Sequence, residues 1–211
     1  MRIGVRFSRN GMSRFVSHLD MQRFFSRAIR RSGIEVQYSQ GFNPHIIMSF
    51  AQALAVGLET KGDYLEFNTV NDEDISSVRE RLSLQMSSGI DIITAGMLDP
   101  KGKKLMACVE AASYSVYCSD DIKERFAALT EGGSYIIKNK KGHDVDAGQM
   151  ILSSDIMTDR IDLMLVLSSK MSLSPFSLFD AVAPGESVRI VRNDLYTGSG
   201  TDIISLSGLF L

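Results

Sequence analysis

Four arginines, Arg23, Arg27, Arg30 and Arg31, recur at three- and four-residue intervals between His18 and His45, and no other part of the chain gathers so much reactive or binding chemistry. Arginine carries a planar fork of donors suited to bidentate contact with phosphate or carboxylate. A row of arginines at helical spacing therefore points to a polyanion laid along a helix. Directly after the row comes the segment SQGFNPH, preceded by Tyr38. Tyr38, Phe42 and His45 offer rings for base stacking, and Gln40 and Asn43 offer amides beside them. The competing reading is plainer: the arginines form a solvated helix face and the aromatics belong to a core.

His18 and His45 are also the candidates for acid and base in RNA cleavage or group transfer. No paired carboxylates, nucleophile elbow, phosphate-cradling glycine loop or metal-ligand cluster accompanies them. Recognition is thus the expectation, with catalysis by this chain alone as the alternative and a pure protein-interaction module as a third reading.

The elements that must position these residues follow from local patterning. Ser17 with Asp20 three residues on reads as a capping box with Asp in place of Glu, and Val16 and Met21 are spaced for a hydrophobic staple. Met21, Phe24, Phe25, Ala28 and Ile29 then keep one apolar side, opposite the arginines, until Ser32-Gly33 stops the helix. Before it, Arg2 to Ser8 alternates as a strand; after it, Ile34 to Tyr38 is predicted as a strand, then a fixed turn at Ser39 to Pro44, then extended chain from His45 to Phe50. Asp63 to Val70 (strand), Asn71 to about Gly89 (helix) and Ile90 to Met97 (strand) complete the first pattern. Strand, helix, strand, strand, helix, strand is the order of a split βαβ unit with an antiparallel sheet.

The turn-rich stretch Asp99-Pro100-Lys101-Gly102-Lys103-Lys104 reads as a junction, after which the pattern restarts. Leu105 to Cys118 is predicted as a strand, Asp120 to Leu129 as a helix, Ser134 to Lys138 and Ile161 to Ser168 as the middle strands, a Pro175-led segment as a helix and Ser187 to Leu195 as a strand. The expected fold is α+β, with tandem ferredoxin-like units at 1–98 and 99–211. The apolar tail from Asp202 to Leu211 suits an edge strand or a homodimer contact.

Charge sharpens the binding reading. Residues 1–50 hold eight arginines, no lysine and only Asp20 and Glu35, a formal +6; the chain as a whole carries −2, which leaves −8 for the rest. A pI near 5.9 excludes bulk coating of nucleic acid, so anion binding must be local. With no run of about eighteen apolar residues and no signal-peptide pattern, a cytoplasmic location without a membrane span is expected. Two cysteines, Cys108 and Cys118, and three spread histidines exclude a cysteine-rich zinc site or a four-cysteine iron–sulfur cluster within this chain, and no metal or cofactor is expected in it.

The stretch FVSHLDMQRFFSRAIRRSGIEVQYSQGFNPHIIMSFA, with Gly57, the GDYLEF strand and the later LSPFSLFDAV and VRIVRNDLY, resembles the radical-SAM-linked protein family. That family is bacterial, has no established activity, and occurs either fused behind a radical-SAM protein or as a separate chain. Ile46 stands where many members continue with proline. Genes for such proteins often neighbour those of a radical-SAM enzyme and a ribonuclease of the E/G type. The resemblance implies an accessory protein that recognises RNA or another substrate for a radical-SAM enzyme on another chain, in RNA or ribosome modification or processing.

Overall fold

Ile3, Val5 and Phe7 alternate with polar residues along β1 (Arg2–Arg9), and each of the three is buried, as a strand with one core face requires. The structure, a computed structural model, describes residues 1–133, 136–138, 142–169 and 171–211. Its fold is mixed α+β, with antiparallel pairing and four α-helices among the described residues. The chain divides into two units, 1–109 with 194–211, and 110–193. The Asp99–Lys104 turn lies within the first.

In the first unit β1 is followed by α1 (His18–Arg31), β2 (Met48–Phe50), β3 (Glu59–Asn68), α2 (Ile75–Ser83) and β4 (Ile90–Met97). The sheet order is β4-β1-β3, and β2 pairs with β3; all these pairings are antiparallel. Ser17 caps α1 as expected, its hydroxyl oxygen accepting from the Asp20 amide at 3.2 Å. Met21, Phe25, Ala28 and Ile29 are buried against β1, with Phe24 and Val16 packed at the margin. Gly33 takes a φ of 73°, which ends the helix at little steric cost.

Ile34 to Tyr38 does not form the predicted strand. Among the described residues two isolated bridges hold it, Val36 to Thr69 and Tyr38 to Ile46; Ile34 and Val36 are buried in alternation with exposed Glu35 and Gln37, but the two bridges run to different segments, so no continuous ladder forms.

β3 is buried along most of its length, although its sequence, ETKGDYLEFN, is rich in polar groups. Partners elsewhere in the unit satisfy them. Glu66 accepts from the Arg2 guanidinium and from Ser49, and Glu59 pairs with Arg14 at 2.9 Å. The Tyr64 hydroxyl donates to Asp194 at 2.6 Å, and Asp194 also pairs with Arg6 at 3.0 Å and accepts from Ser205 at 2.9 Å. Asp194 stands in β10 (Arg189–Thr197), which runs from the second unit into the first, where β11 (Ile204–Ser205) pairs with its end. The tail therefore supplies an edge strand. Phe210 then lies over Gly96, where a Cβ would stand 2.4 Å from the Phe210 Cβ, so any larger residue there displaces the ring.

Burial, and then the bond to Asp194, push the Tyr64 hydroxyl up to about 12. A proton held more tightly in the folded state stabilises it fully below the ordinary value near 10, and that stabilisation disappears as pH rises through about 12. Urea unfolding at pH 9 and pH 11.5 should therefore show a loss of stability in the unmodified chain that is smaller in Tyr64→Phe. Equal losses would assign the alkaline sensitivity elsewhere.

The second unit contains β5 (Ala111–Tyr117), α3 (Asp120–Glu131), β6 (Ile136–Lys138), β7 (Asp144–Asp146), β8 (Ile151–Ile156), β9 (Arg160–Val166) and α4 (Pro175–Val182), with the start of β10. The order is β10-β5-β9-β8, and β6 and β7 form a separate two-stranded sheet. Two expectations are corrected here. Leu105–Ala107 is a 3-10 turn and the strand begins only at Ala111. The partner of β9 is β8, not the 134–138 segment, of which 134 and 135 lie outside the described residues. Phe126 of α3 and Phe179 of α4 stack at 5.8 Å in this unit's core.

Candidate functional site

Counting from Leu19, the residues Gln22, Arg23, Ser26, Arg27 and Arg30 follow at steps of three, one, three, one and three, a stripe along α1. That stripe walls a hollow of about 650 Å³, whose other wall is His45, Ile46 and Met48. The arginine row and the end of the SQGFNPH loop thus share one surface.

The loop is held by its own stem. Tyr38 bridges Ile46, the Ser39 amide donates to the His45 carbonyl at 2.8 Å, and the His45 amide donates to the Ser39 hydroxyl at 3.1 Å. The same hydroxyl meets His45 Nδ1 at 2.9 Å, which fixes the ring. Gly41, at φ 121°, makes the turn possible. Gln40, Phe42 and Asn43 are exposed and do not line the hollow, and the Phe42 ring stands fully in solvent. Tyr38 is 41% exposed, with the Arg30 guanidinium 6.0 Å from its ring centre.

The arginines differ in what already occupies them. Arg23 pairs with Asp20 at 3.0 Å; the Ser17 hydroxyl first and Arg23 second hold the Asp20 carboxyl below the usual carboxylate range. Arg31 turns away from the hollow and donates to Gln85, to the side chain and to the backbone carbonyl, each at 3.2 Å. Arg27 and Arg30 make no salt bridge among the described residues, and both face the hollow. Of the eight arginines in the first fifty residues, Arg2, Arg6 and Arg14 are matched by Glu66, Asp194 and Glu59, all from later in the chain. The formal +6 of that segment is therefore not a uniformly positive surface; Arg27, Arg30 and Arg31 keep their charge without a carboxylate partner among the described residues, and of these Arg27 and Arg30 line the hollow.

His18 is placed differently from His45. Its ring packs edge-on against Phe50 with centres 5.3 Å apart, its Nε2 meets the Gln22 amide at 3.2 Å, and it does not line the hollow. Among the described residues no group of three or more His, Cys, Asp or Glu is arranged to hold a metal ion, and no helix is long and apolar enough to cross a membrane. Cys108 and Cys118 are not joined in a disulfide, and both are half-buried.

Sequence reasoning passed over Leu19, Gln22, Ser26, Ile46 and Met48 as lining residues. The first three were recoverable, since they share the arginines' own helical stripe. Met48 comes to the hollow through the pairing of β2 with β3 and Ile46 through its bridge to Tyr38, neither of which the apolar pattern announces.

These observations define an α+β protein with an arginine-walled hollow on its first unit. Residues 2–175 match the model of the family described as an uncharacterized protein conserved in bacteria (DUF2344), and the chain belongs to that family. A search of curated proteins returns no match. Among solved structures, an unknown protein from Galdieria sulphuraria is similar over 90% of this chain and 97% of that one, at 14% identity and a TM-score of 0.25.

Proposed function

We propose that the protein recognises RNA through the hollow between α1 and the His45 end of the SQGFNPH loop, as a cytoplasmic accessory partner of a separate radical-SAM enzyme in RNA or ribosome modification. The observation that carries the RNA reading is the pair Arg27 and Arg30, free of carboxylate partners among the described residues and facing a hollow of about 650 Å³. Along a helix Arg23 and Arg27 are separated by about 6 Å of rise, comparable to the separation of neighbouring phosphates on a single strand. Tyr38 and the projecting Phe42 offer rings beside that track. The radical-SAM partnership rests on the family resemblance alone. We further read each unit as a ferredoxin-like module: β4-β1-β3-β2 in the first and β10-β5-β9-β8 in the second follow the strand order of a split βαβ unit, with β6 and β7 an insertion in the second.

The test is binding of labelled cellular small RNA at two salt concentrations. The unmodified chain should bind, with log affinity falling against log salt at a slope of roughly −0.7 for each phosphate engaged. The double variant Arg27→Ala/Arg30→Ala should lose at least tenfold in affinity and most of that slope, whereas Arg31→Ala should change neither. Salt-independent binding, or equal losses in the double variant and in Arg31→Ala, would overturn the reading.

A further inference from the structure

A second hollow, about 420 Å³, opens beside the first, and the two share His45, Ile46 and Met48 as a common rim. Its size is within the range of small-ligand sites. Ile47, Phe67 and Pro100 supply apolar wall, and Glu66, Asn68 and Lys104 are among its polar groups.

The hollow is braced by Arg2, which is one of its lining residues. This guanidinium spends its donors on Glu66 and on the carbonyls of Asp99 and Gly102, each at 3.0 Å, and Lys103 at 2.7 Å. The turn that brings Pro100, Gly102 and Lys104 to the hollow is thereby fixed to β1 and β3. Such bracing pre-organises a site before any ligand arrives.

The remaining hydrogen-bonding capacity has a definite pattern. Glu66 accepts from two Arg2 nitrogens and from Ser49, which leaves one of a carboxylate's four lone-pair positions. The Asn68 amide nitrogen donates to Gln37 at 3.3 Å, and its oxygen has no partner among the described residues. Lys104 makes no salt bridge among the described residues. From Glu66, Asn68 and Lys104, two acceptors and one cationic donor therefore remain, in a hollow that Arg2, Ser39, His45 and Ser49 also line. Of the four RNA bases, guanine alone offers the complement on its Watson–Crick edge, with donors at N1 and N2 and an acceptor at O6.

We propose that this second hollow holds a guanine base of the strand bound along α1, with Glu66 and Asn68 accepting from N1 and N2 and Lys104 donating to O6. The proposal rests on the RNA reading given above and adds base selectivity to it. The arginine row takes the backbone, which carries no sequence information; the second hollow reads one base across the His45 rim.

Labelled eight-residue oligouridines test this on the full chain, one unaltered and others with a single central guanosine, adenosine, cytidine or inosine, each at two salt concentrations. The guanosine oligomer should bind about tenfold more tightly than the others, and inosine, which lacks the N2 amine, should lose part of that advantage. Lys104→Ala should remove most of the preference while leaving oligouridine binding and its salt slope unchanged. Ile47→Trp, which fills the hollow from a partly exposed position, should do the same. Equal, salt-steep binding of all five oligomers would overturn the guanine site and leave the arginine face standing. Binding of none at low salt would overturn the RNA reading on which the proposal depends. A Lys104→Ala variant that weakens every oligomer equally would make Lys104 a backbone contact and also overturn the proposal.

Discussion

Asp194→Ala is expected to destabilise the first unit by about 3 kcal/mol, within the range for removing one partner of a buried, hydrogen-bonded charge pair. The carboxylate serves four groups at once: the Tyr64 hydroxyl at 2.6 Å, the Ser205 hydroxyl at 2.9 Å, the Leu195 backbone amide at 2.9 Å and the Arg6 guanidinium at 3.0 Å. Alanine leaves all four without that acceptor. Tyr64 is fully buried and keeps the Ser205 hydroxyl as a partner, so it recovers little of the lost bond from bulk solvent. Arg6, with 24% of its side chain exposed, recovers part of its loss from solvent, which keeps the expected cost below the upper end of the range. Asp194→Asn retains the shape and one acceptor oxygen and should cost less than half as much. Urea midpoints of the three proteins check this. An alanine variant within 1 kcal/mol of the unmodified chain would mean that the network contributes little net stability, as some buried ion pairs do.

The same network explains which features could be read from sequence and which could not. The start of α1 was legible because Ser17, Asp20 and the apolar series from Met21 to Ile29 lie within one local window. β4 was legible to the residue, Ile90 to Met97, and so was the opening of α4 at Pro175. By contrast, β8 is exposed over nearly its whole length, so LSSDI carries no alternation of apolar and polar residues to announce a strand. Its pairing with β9 is decided by the turn at Met157 to Asp159 and by the ladder itself.

The arginines show the larger gap. In sequence, Arg2, Arg6 and Arg14 look as available as Arg27 and Arg30. Their partners Glu66, Asp194 and Glu59 stand between 45 and 188 positions away along the chain, and only the fold brings them together. Segment charge is a property of the chain, whereas surface charge is a property of the packing. The helical stripe from Leu19 to Arg30 was there to be read, but the wall that makes it a hollow was not.

Phe25→Ala connects the core to that hollow and carries the largest expected stability loss, about 3–5 kcal/mol for truncating a buried phenylalanine. Phe25 is fully buried; its ring centre lies 4.8 Å from that of Phe7 in β1 and 5.6 Å from that of Phe50 in β2. Phe7 and Phe50 also meet, at 5.9 Å, so the three rings join α1 to both strands. β2 continues from the residues that form the far wall of the arginine hollow, and α1 is the near wall. Loss of the Phe25 ring therefore removes the spacer that sets their separation. Phe25→Leu fills most of the space and should cost about 1–1.5 kcal/mol. If the rings position the site, the folded fraction of Phe25→Ala, measured at a temperature where folding is retained, should bind RNA several-fold more weakly than Phe25→Leu while keeping the same salt slope, because the arginines are present but less well placed. Unchanged affinity in the folded alanine variant would show that α1 binds through its arginines alone, with no contribution from the wall opposite.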